Sequence, residues 1–174
     1  MLELTILGFL HDGPLHGYEL KERIHGLNGH IRPVSDGALY PAITRMVRAG
    51  LLQSRTEPGS GGAARRTLSL TEAGRAELRA RLSEPKDADI TDGQRFNTVL
   101  AFLGRLDSPA EQAAVLRRRL DFLETPASFF YRDGAPVRAE EEPDVFRAGM
   151  LRVARATGTA EKAWLRETLA ALEA

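Results

Sequence analysis

The residue types that perform covalent chemistry are sparse in this chain and poorly assembled. Cysteine is absent, so no thiol nucleophile, thiolate zinc site or disulfide framework is available. His11, His16, His25 and His30 have no i, i+4 partner and no acid at a recognised ligand spacing, which makes them capping, surface or DNA-facing residues rather than a metal cluster. Glu140, Glu141 and Glu142 sit just before an expected helix start, where negative charge favours the helix dipole. GSGGAA at 59–64 matches a dinucleotide-binding glycine pattern, but that site needs a strand before it and a helix after it, and here a second strand follows. No nucleophile, base and orienting group can be put together, so an enzyme is not expected, nor is a cofactor.

The chemistry that remains is that of arginine and small residues on one helix. In SDGALYPAITRMVRAGLL, residues 35–52, Leu39, Ile43, Met46 and Val47 recur at helical spacing and define a buried side. At about 100° per residue, Gly37, Ala38, Pro41, Arg45 and Arg48 fall opposite, with Tyr40 at the margin. That face is small near its start and basic near its end. Small residues let a backbone approach base edges, Ala38 or Pro41 can meet a thymine methyl, and the arginines suit guanine or phosphate. A hydroxyl at Tyr40 suits phosphate.

Several elements must hold such a helix. Leu2, Ile6, Leu7 and Leu10 give a first helix that stops at Gly13-Pro14; Tyr18, Leu20, Ile24 and Leu27 give a second that stops at Asn28-Gly29. Ser35 or Asp36 caps the third, and Gly50 ends it. Leu51 to Thr56 and Arg65 to Leu70 then predict two strands joined by a glycine-rich tip, and Thr71 caps a fourth helix. Helix, helix, helix and ribbon is the order of a winged helix-turn-helix. Lys21, Arg23, Arg32, Arg55, Arg65 and Arg66 on the neighbouring elements add candidate phosphate contacts.

Residues 83–93, SEPKDADITDG, lack apolar periodicity and predict a linker, dividing a DNA-binding domain at 1–82 from a second domain at 94–174. In the latter, Phe96, Val99, Phe102 and Leu103 predict one helix. Ser108-Pro109-Ala110-Glu111 opens another with a capping box. Phe146, Met150, Val153, Thr157, Ala160 and Trp164 alternate by four and three, predicting one long helix that continues through Gly149 and Gly158. The expected class is mainly α: a winged helix-turn-helix followed by an all-helical C-terminal domain.

With 43% hydrophobic and 28% charged residues, the 174-residue chain has the composition of a soluble globular protein. Its first residues include Glu3, lack a basic leader and soon meet Gly and Pro, so neither a signal peptide nor a membrane span is expected. The expected location is the cytoplasm. The net charge of zero hides an asymmetry: residues 1–82 hold 11 Lys/Arg against 8 Asp/Glu, and residues 83–174 hold 13 against 16. A basic N-terminal half is compatible with nucleic acid.

Together GPLHGYEL (13–20), SDGALYPAITRMVRAGLL (35–52) and SLTEAGRAEL (69–78) resemble the PadR family of bacterial transcriptional regulators, in motif and in spacing. FNTVLAFLGRL and AWLRETL are similar to the longer helical C-terminal domain of members related to virulence activators. The resemblance implies a homodimer, usually a repressor, on an inverted repeat in promoter DNA. It implies that His16, Gly17 and Tyr18 open the supporting helix, that Ser35 to Tyr40 address DNA, and that the wing between Arg55 and Arg66 reaches backbone or minor groove. One departure is that RRTLSLTEAG lacks the tyrosine the family usually carries on the second wing strand. Some members respond to aromatic small molecules, so Phe102, Phe129, Phe130, Tyr131 and Trp164 are candidates for an effector pocket. Ordinary core and dimer packing is the favoured reading of those aromatics. Phe146, Met150, Val153 and Trp164 are the candidates for the dimer seam. The rival to a DNA-binding regulator is a winged helix that binds only another protein.

Overall fold

The computed structural model describes residues 1–28, 34–57, 65–126, 131–132 and 134–174, with the side chains of Asn28, Glu57 and Arg65 left aside. Two compact units result, Met1–Asp107 and Ser108–Ala174.

The first unit is built around a helix with almost no polar side. In α1 (Leu2–His11) the side chains of Leu4, Ile6, Leu7 and Leu10 are buried, and Thr5 and Gly8 are buried with them. A helix that is apolar on most of its circumference belongs inside a core. Thr5 satisfies its hydroxyl by donating to the Met1 carbonyl at 3.2 Å. Around α1 pack α2 (Gly17–Asn28), α3 (Asp36–Arg48) and α4 (Glu72–Ser83).

The sheet is one strand larger than the sequence suggests. Strands β2 (Leu52–Glu57) and β3 (Arg65–Leu70) pair antiparallel with Ser54 opposite Leu68. On the other edge of β3 lies β1 (Leu15–His16), which pairs Leu15 with Leu68 and His16 with Thr67. Leu68 and Leu70 are buried while Thr67 and Ser69 are partly exposed, the alternation of a ribbon with one face on a core. A two-residue strand leaves no periodicity to detect, but it ties the start of α2 to the wing.

Helix α3 ends as a Schellman motif: Gly50 N–H donates to the Val47 carbonyl and Leu51 N–H to that of Met46, both at 3.0 Å, with Gly50 at φ +72°. The turn hands the chain directly to β2. Ser35 is the N-cap residue, in extended backbone conformation, and Asp36 is the first helical residue. Pro41 has no N–H for the Gly37 carbonyl, yet the helix continues to Arg48, with Thr44 Oγ1 donating to the Tyr40 carbonyl at 3.0 Å.

Residues 83–93, expected as a linker, contain a short helix, α5 (Asp87–Thr91), and are followed at once by α6 (Gly93–Leu103). Ile90 is the one buried apolar side chain of α5, too little for a periodic signal. Asp92 caps α6 by accepting from Arg95 N–H at 2.9 Å. α6 belongs to the first unit: Phe102 is buried edge-on to Phe9 at a ring-centroid separation of 5.1 Å, over Gly8, where a Cβ would lie 2.4 Å from the ring. The division between the compact units therefore lies at Asp107/Ser108.

The second unit pairs α7 (Pro109–Glu124) with α8 (Val145–Leu172). Ser108 caps α7 through Glu111 N–H at 3.3 Å. Asp144 caps α8 through the N–H groups of Phe146 and Arg147, which hold its carboxyl below the usual carboxylate range. α8 runs unbroken through Gly149 and Gly158, as the four-three spacing predicts. The unit is not wholly helical, in contrast to the expectation: Tyr131–Arg132 (β4) and Ala135–Pro136 (β5) form a small ribbon around Gly134 at φ +79°. Positive φ without steric penalty is what a glycine supplies to so short a turn.

Candidate nucleic-acid interface

The exposed side of α3 holds the residues the helical spacing assigned to it. Leu39, Ala42, Ile43 and Met46 are buried, whereas Gly37, Ala38, Tyr40, Pro41, Arg45 and Arg48 are exposed. Ser35, also exposed, caps through its backbone: its carbonyl accepts from Ala38 N–H and Leu39 N–H at 3.0 Å, and its hydroxyl makes no capping bond.

The turn into α2 is fixed from two directions. His16 N–H donates to the Glu19 carboxylate at 2.9 Å, and the His16 ring nitrogen Nδ1 lies 3.2 Å from Thr67 Oγ1 on β3. Gly17 lies beside Tyr40, and a Cβ there would meet the ring at 3.5 Å, an ordinary contact. Tyr18 projects from the same turn and is 70% exposed, and Tyr40 is 45% exposed. Between α2, α3 and β3 these groups leave an open cavity of about 490 Å³, with Tyr18, Tyr40 and Ile43 on its sides and Arg66 at its margin. Arg66 Nε donates to Ser54 Oγ at 2.5 Å across the wing strands. The arrangement puts two phenol hydroxyls and a guanidinium beside Gly37 and Ala38, the small residues of the first turn of α3.

Not all of the basic residues point the same way. Arg45 reaches Glu3 on α1, with Nη2 3.6 Å from Oε1, and Arg81 holds the other Glu3 oxygen at 3.2 Å. Arg45 remains 63% exposed at its side chain, so this loose pair does not remove it from the surface. Arg48 and Arg55 are exposed. Arg32, like His30 and the glycine-rich tip at 59–64, lies outside the described residues, as does the side chain of Arg65.

The contact that helical spacing alone does not reveal is between Lys21 and Asp36. Lys21 Nζ of α2 is 2.7 Å from Asp36 Oδ1, and that hydrogen bond holds the ammonium above the usual lysine range. In the sequence Asp36 looks like a helix-start acid, and nothing marks its partner fifteen positions earlier.

In the second unit, Phe146 is 86% exposed and Val153 68%, with Met150 and Trp164 also exposed along α8. The candidate pocket aromatics do not gather. Phe102 is in the core of the first unit, Phe129 and Phe130 lie outside the described residues, and Trp164 is on the surface of α8. Among the described candidates only Tyr131 lines a cavity, of about 460 Å³, with Phe122, Pro136, Leu151 and Gly158, and with Arg155 and Lys162 supplying positive charge. Among the described residues no group of three His, Cys, Asp or Glu side chains is placed to hold a metal ion, and no helix is long and apolar enough to cross a membrane.

Within the first unit, helices α1–α3 followed by the paired strands β2 and β3 form a winged helix-turn-helix. Residues 6–80 match the transcriptional regulator PadR-like family. Among solved structures, Bacillus subtilis PadR in complex with operator DNA is 20% identical, aligned over 97% of this chain and 98% of that one with a TM-score of 0.48. The same protein in complex with p-coumaric acid is 21% identical over 99% of both chains, with a TM-score of 0.44. A transcriptional regulator from Clostridium thermocellum is 22% identical over 45% of this chain and 76% of that one, with a TM-score of 0.42. No curated protein matches.

Proposed function

We propose that the protein is a sequence-specific DNA-binding transcriptional regulator, a repressor that binds an inverted-repeat operator as a homodimer. The observation that carries this is the exposed side of α3: Gly37 and Ala38 at its start, Tyr40 beside them, and Arg45 and Arg48 at its end, flanked by Arg66 of the wing. Such a face lets the helix N-terminus approach base edges while hydroxyls and guanidinium groups take the phosphates. His16, Gly17, Tyr18, Lys21, Ser35 and Pro41 complete the proposed contact surface.

Two fluorescence-anisotropy series test it. Affinity for the DNA upstream of the gene should fall steeply with salt, and Arg66→Ala should weaken binding while lowering the slope of log K against log salt by about one. Tyr40→Phe should weaken binding with little change in thermal stability. Ile43→Ala, by contrast, truncates a side chain that is 1% exposed and should cost roughly 2–5 kcal/mol of stability. Unfolding by Tyr40→Phe would show that the two faces of α3 are reversed.

The homodimer is supported by Phe146, Met150, Val153 and Trp164, a row of exposed apolar side chains at coiled-coil spacing. Light scattering of the full chain should give twice the 19.1 kDa chain mass, and Phe146→Glu with Val153→Glu should halve it. A monomeric wild type would remove the seam. Release by a small molecule is supported by the cavity at Tyr131, whose apolar walls and nearby Arg155 and Lys162 suit an apolar ligand with a negative end.

A further inference from the structure

We propose that Asp36, held by Lys21, reads a cytosine in the major groove and sets the base preference at one position of each half-site. This rests on the DNA-binding reading above and adds to it the residue that discriminates.

Asp36 is the only acid of α3. It stands in the first turn of the reading helix with its side chain 61% exposed, followed by Gly37 and Ala38, which have too little side chain to shield it. On a surface that meets a polyanion, a carboxylate there lowers affinity for every sequence unless it gains a specific partner. A carboxylate only accepts hydrogen bonds, and phosphate oxygens have no proton to give. The donors on the major-groove edge are the amino groups of cytosine and adenine. Adenine presents its amino group beside the N7 acceptor, which repels a carboxylate; cytosine presents the amino group without one. The chemistry therefore selects cytosine.

Lys21 makes this workable. Its bond of 2.7 Å to Oδ1 fixes the carboxylate from the neighbouring helix and offsets its charge where phosphates pass. An ammonium carries three donors, so holding Asp36 leaves Lys21 able to meet the backbone next to the base being read. The competing role for Asp36 is local: an acid in the first turn favours the helix dipole. That role predicts a change in stability and none in sequence preference.

The experiment is selection from a randomised duplex pool by the full-length wild type, Asp36→Ala and Asp36→Asn, followed by Kd measurement on the selected site and its single-base variants. Wild type should retain one C·G pair per half-site, and replacing it should weaken binding roughly 5- to 150-fold, the span of one good base contact. In Asp36→Ala that penalty should vanish while the other positions keep theirs. In Asp36→Asn the preference at the same position should move to adenine, whose N6 and N7 match an amide. If Asp36→Ala selects the unchanged motif, with all affinities raised or lowered evenly, the base-reading role of Asp36 is overturned and DNA binding stands. If wild type itself enriches no sequence, both fail together.

Discussion

Glu161→Ala will destabilise the second unit by roughly 2–4 kcal/mol, a loss on the scale of a core truncation although the residue is charged and partly exposed. Arg119 on α7 is only 5% exposed at its side chain, and Glu161 on α8 grips it twice, at Nε (2.8 Å) and at Nη2 (3.2 Å). The guanidinium also lies 5.5 Å from the centroid of the Phe122 ring. Removing the carboxylate takes two bonds from a guanidinium that is almost wholly out of water, and that desolvation, not the attraction itself, makes the truncation severe. Glu161 keeps some contact with water, so the loss falls below that of a fully enclosed pair. Replacing both partners by apolar residues, Arg119→Met with Glu161→Leu, should recover most of the stability. Urea titration of the two variants checks both halves; equal losses in the single and double variants would show that the pair itself, and not the stranded charge, is what matters.

Gly74→Ala should be comparably damaging, about 2–4 kcal/mol, although the added group is one methyl in a helix that would ordinarily welcome it. A Cβ at Gly74 would lie 2.1 Å from the Leu51 carbonyl oxygen and 3.1 Å from its carbon. That oxygen cannot easily retreat, because Thr71 N–H donates to it at 3.1 Å and the Thr71 hydroxyl reaches both it and the Gly50 carbonyl. The clash therefore falls on the junction where α3 hands over to β2 and α4 begins. Helix propensity alone predicts a gain of about 1 kcal/mol from Gly to Ala, so a thermal melt separates the two expectations by sign. A stabilised variant would mean that the junction can yield.

These two sites show what the sequence conveys and what it does not. Helices α1, α2 and α3 are legible because their leucines and isoleucines recur at helical spacing, and the caps at Thr71 and Ser108 are legible because capping is a local pattern. The 28-residue α8 is legible from the alternation between Phe146 and Trp164. What escapes is whatever depends on a distant partner. An amphipathic helix over 93–103 does not say which core it enters, and only the seat of Phe102 on Gly8 and Phe9 assigns it to the first unit. The strand at Leu15–His16 exists because β3 has a free edge to offer. Asp36 looks like any acid at a helix start until Lys21 is found beside it. Arg119, in the sequence one of three consecutive arginines, is buried, which its composition and spacing do not announce.

Gly37 and Pro41, unusual choices for a helix, make sense on the same terms. Each lies on the exposed side away from Leu39 and Ile43, where, on the proposed DNA-binding reading, a large side chain would hold a groove off. Neither residue strengthens α3, and both leave room beside it.

The measurement that bears most directly on the account is the affinity of the full chain for duplex DNA from its own upstream region, titrated by anisotropy over a range of salt. The account predicts binding that weakens steeply with salt, is reduced by Tyr40→Phe and Arg66→Ala at unchanged thermal stability, and leaves a scrambled duplex of equal length bound far more weakly. Equal affinity for the scrambled duplex, or no binding at low salt by a folded protein, would contradict it and leave the winged helix as a surface for another protein.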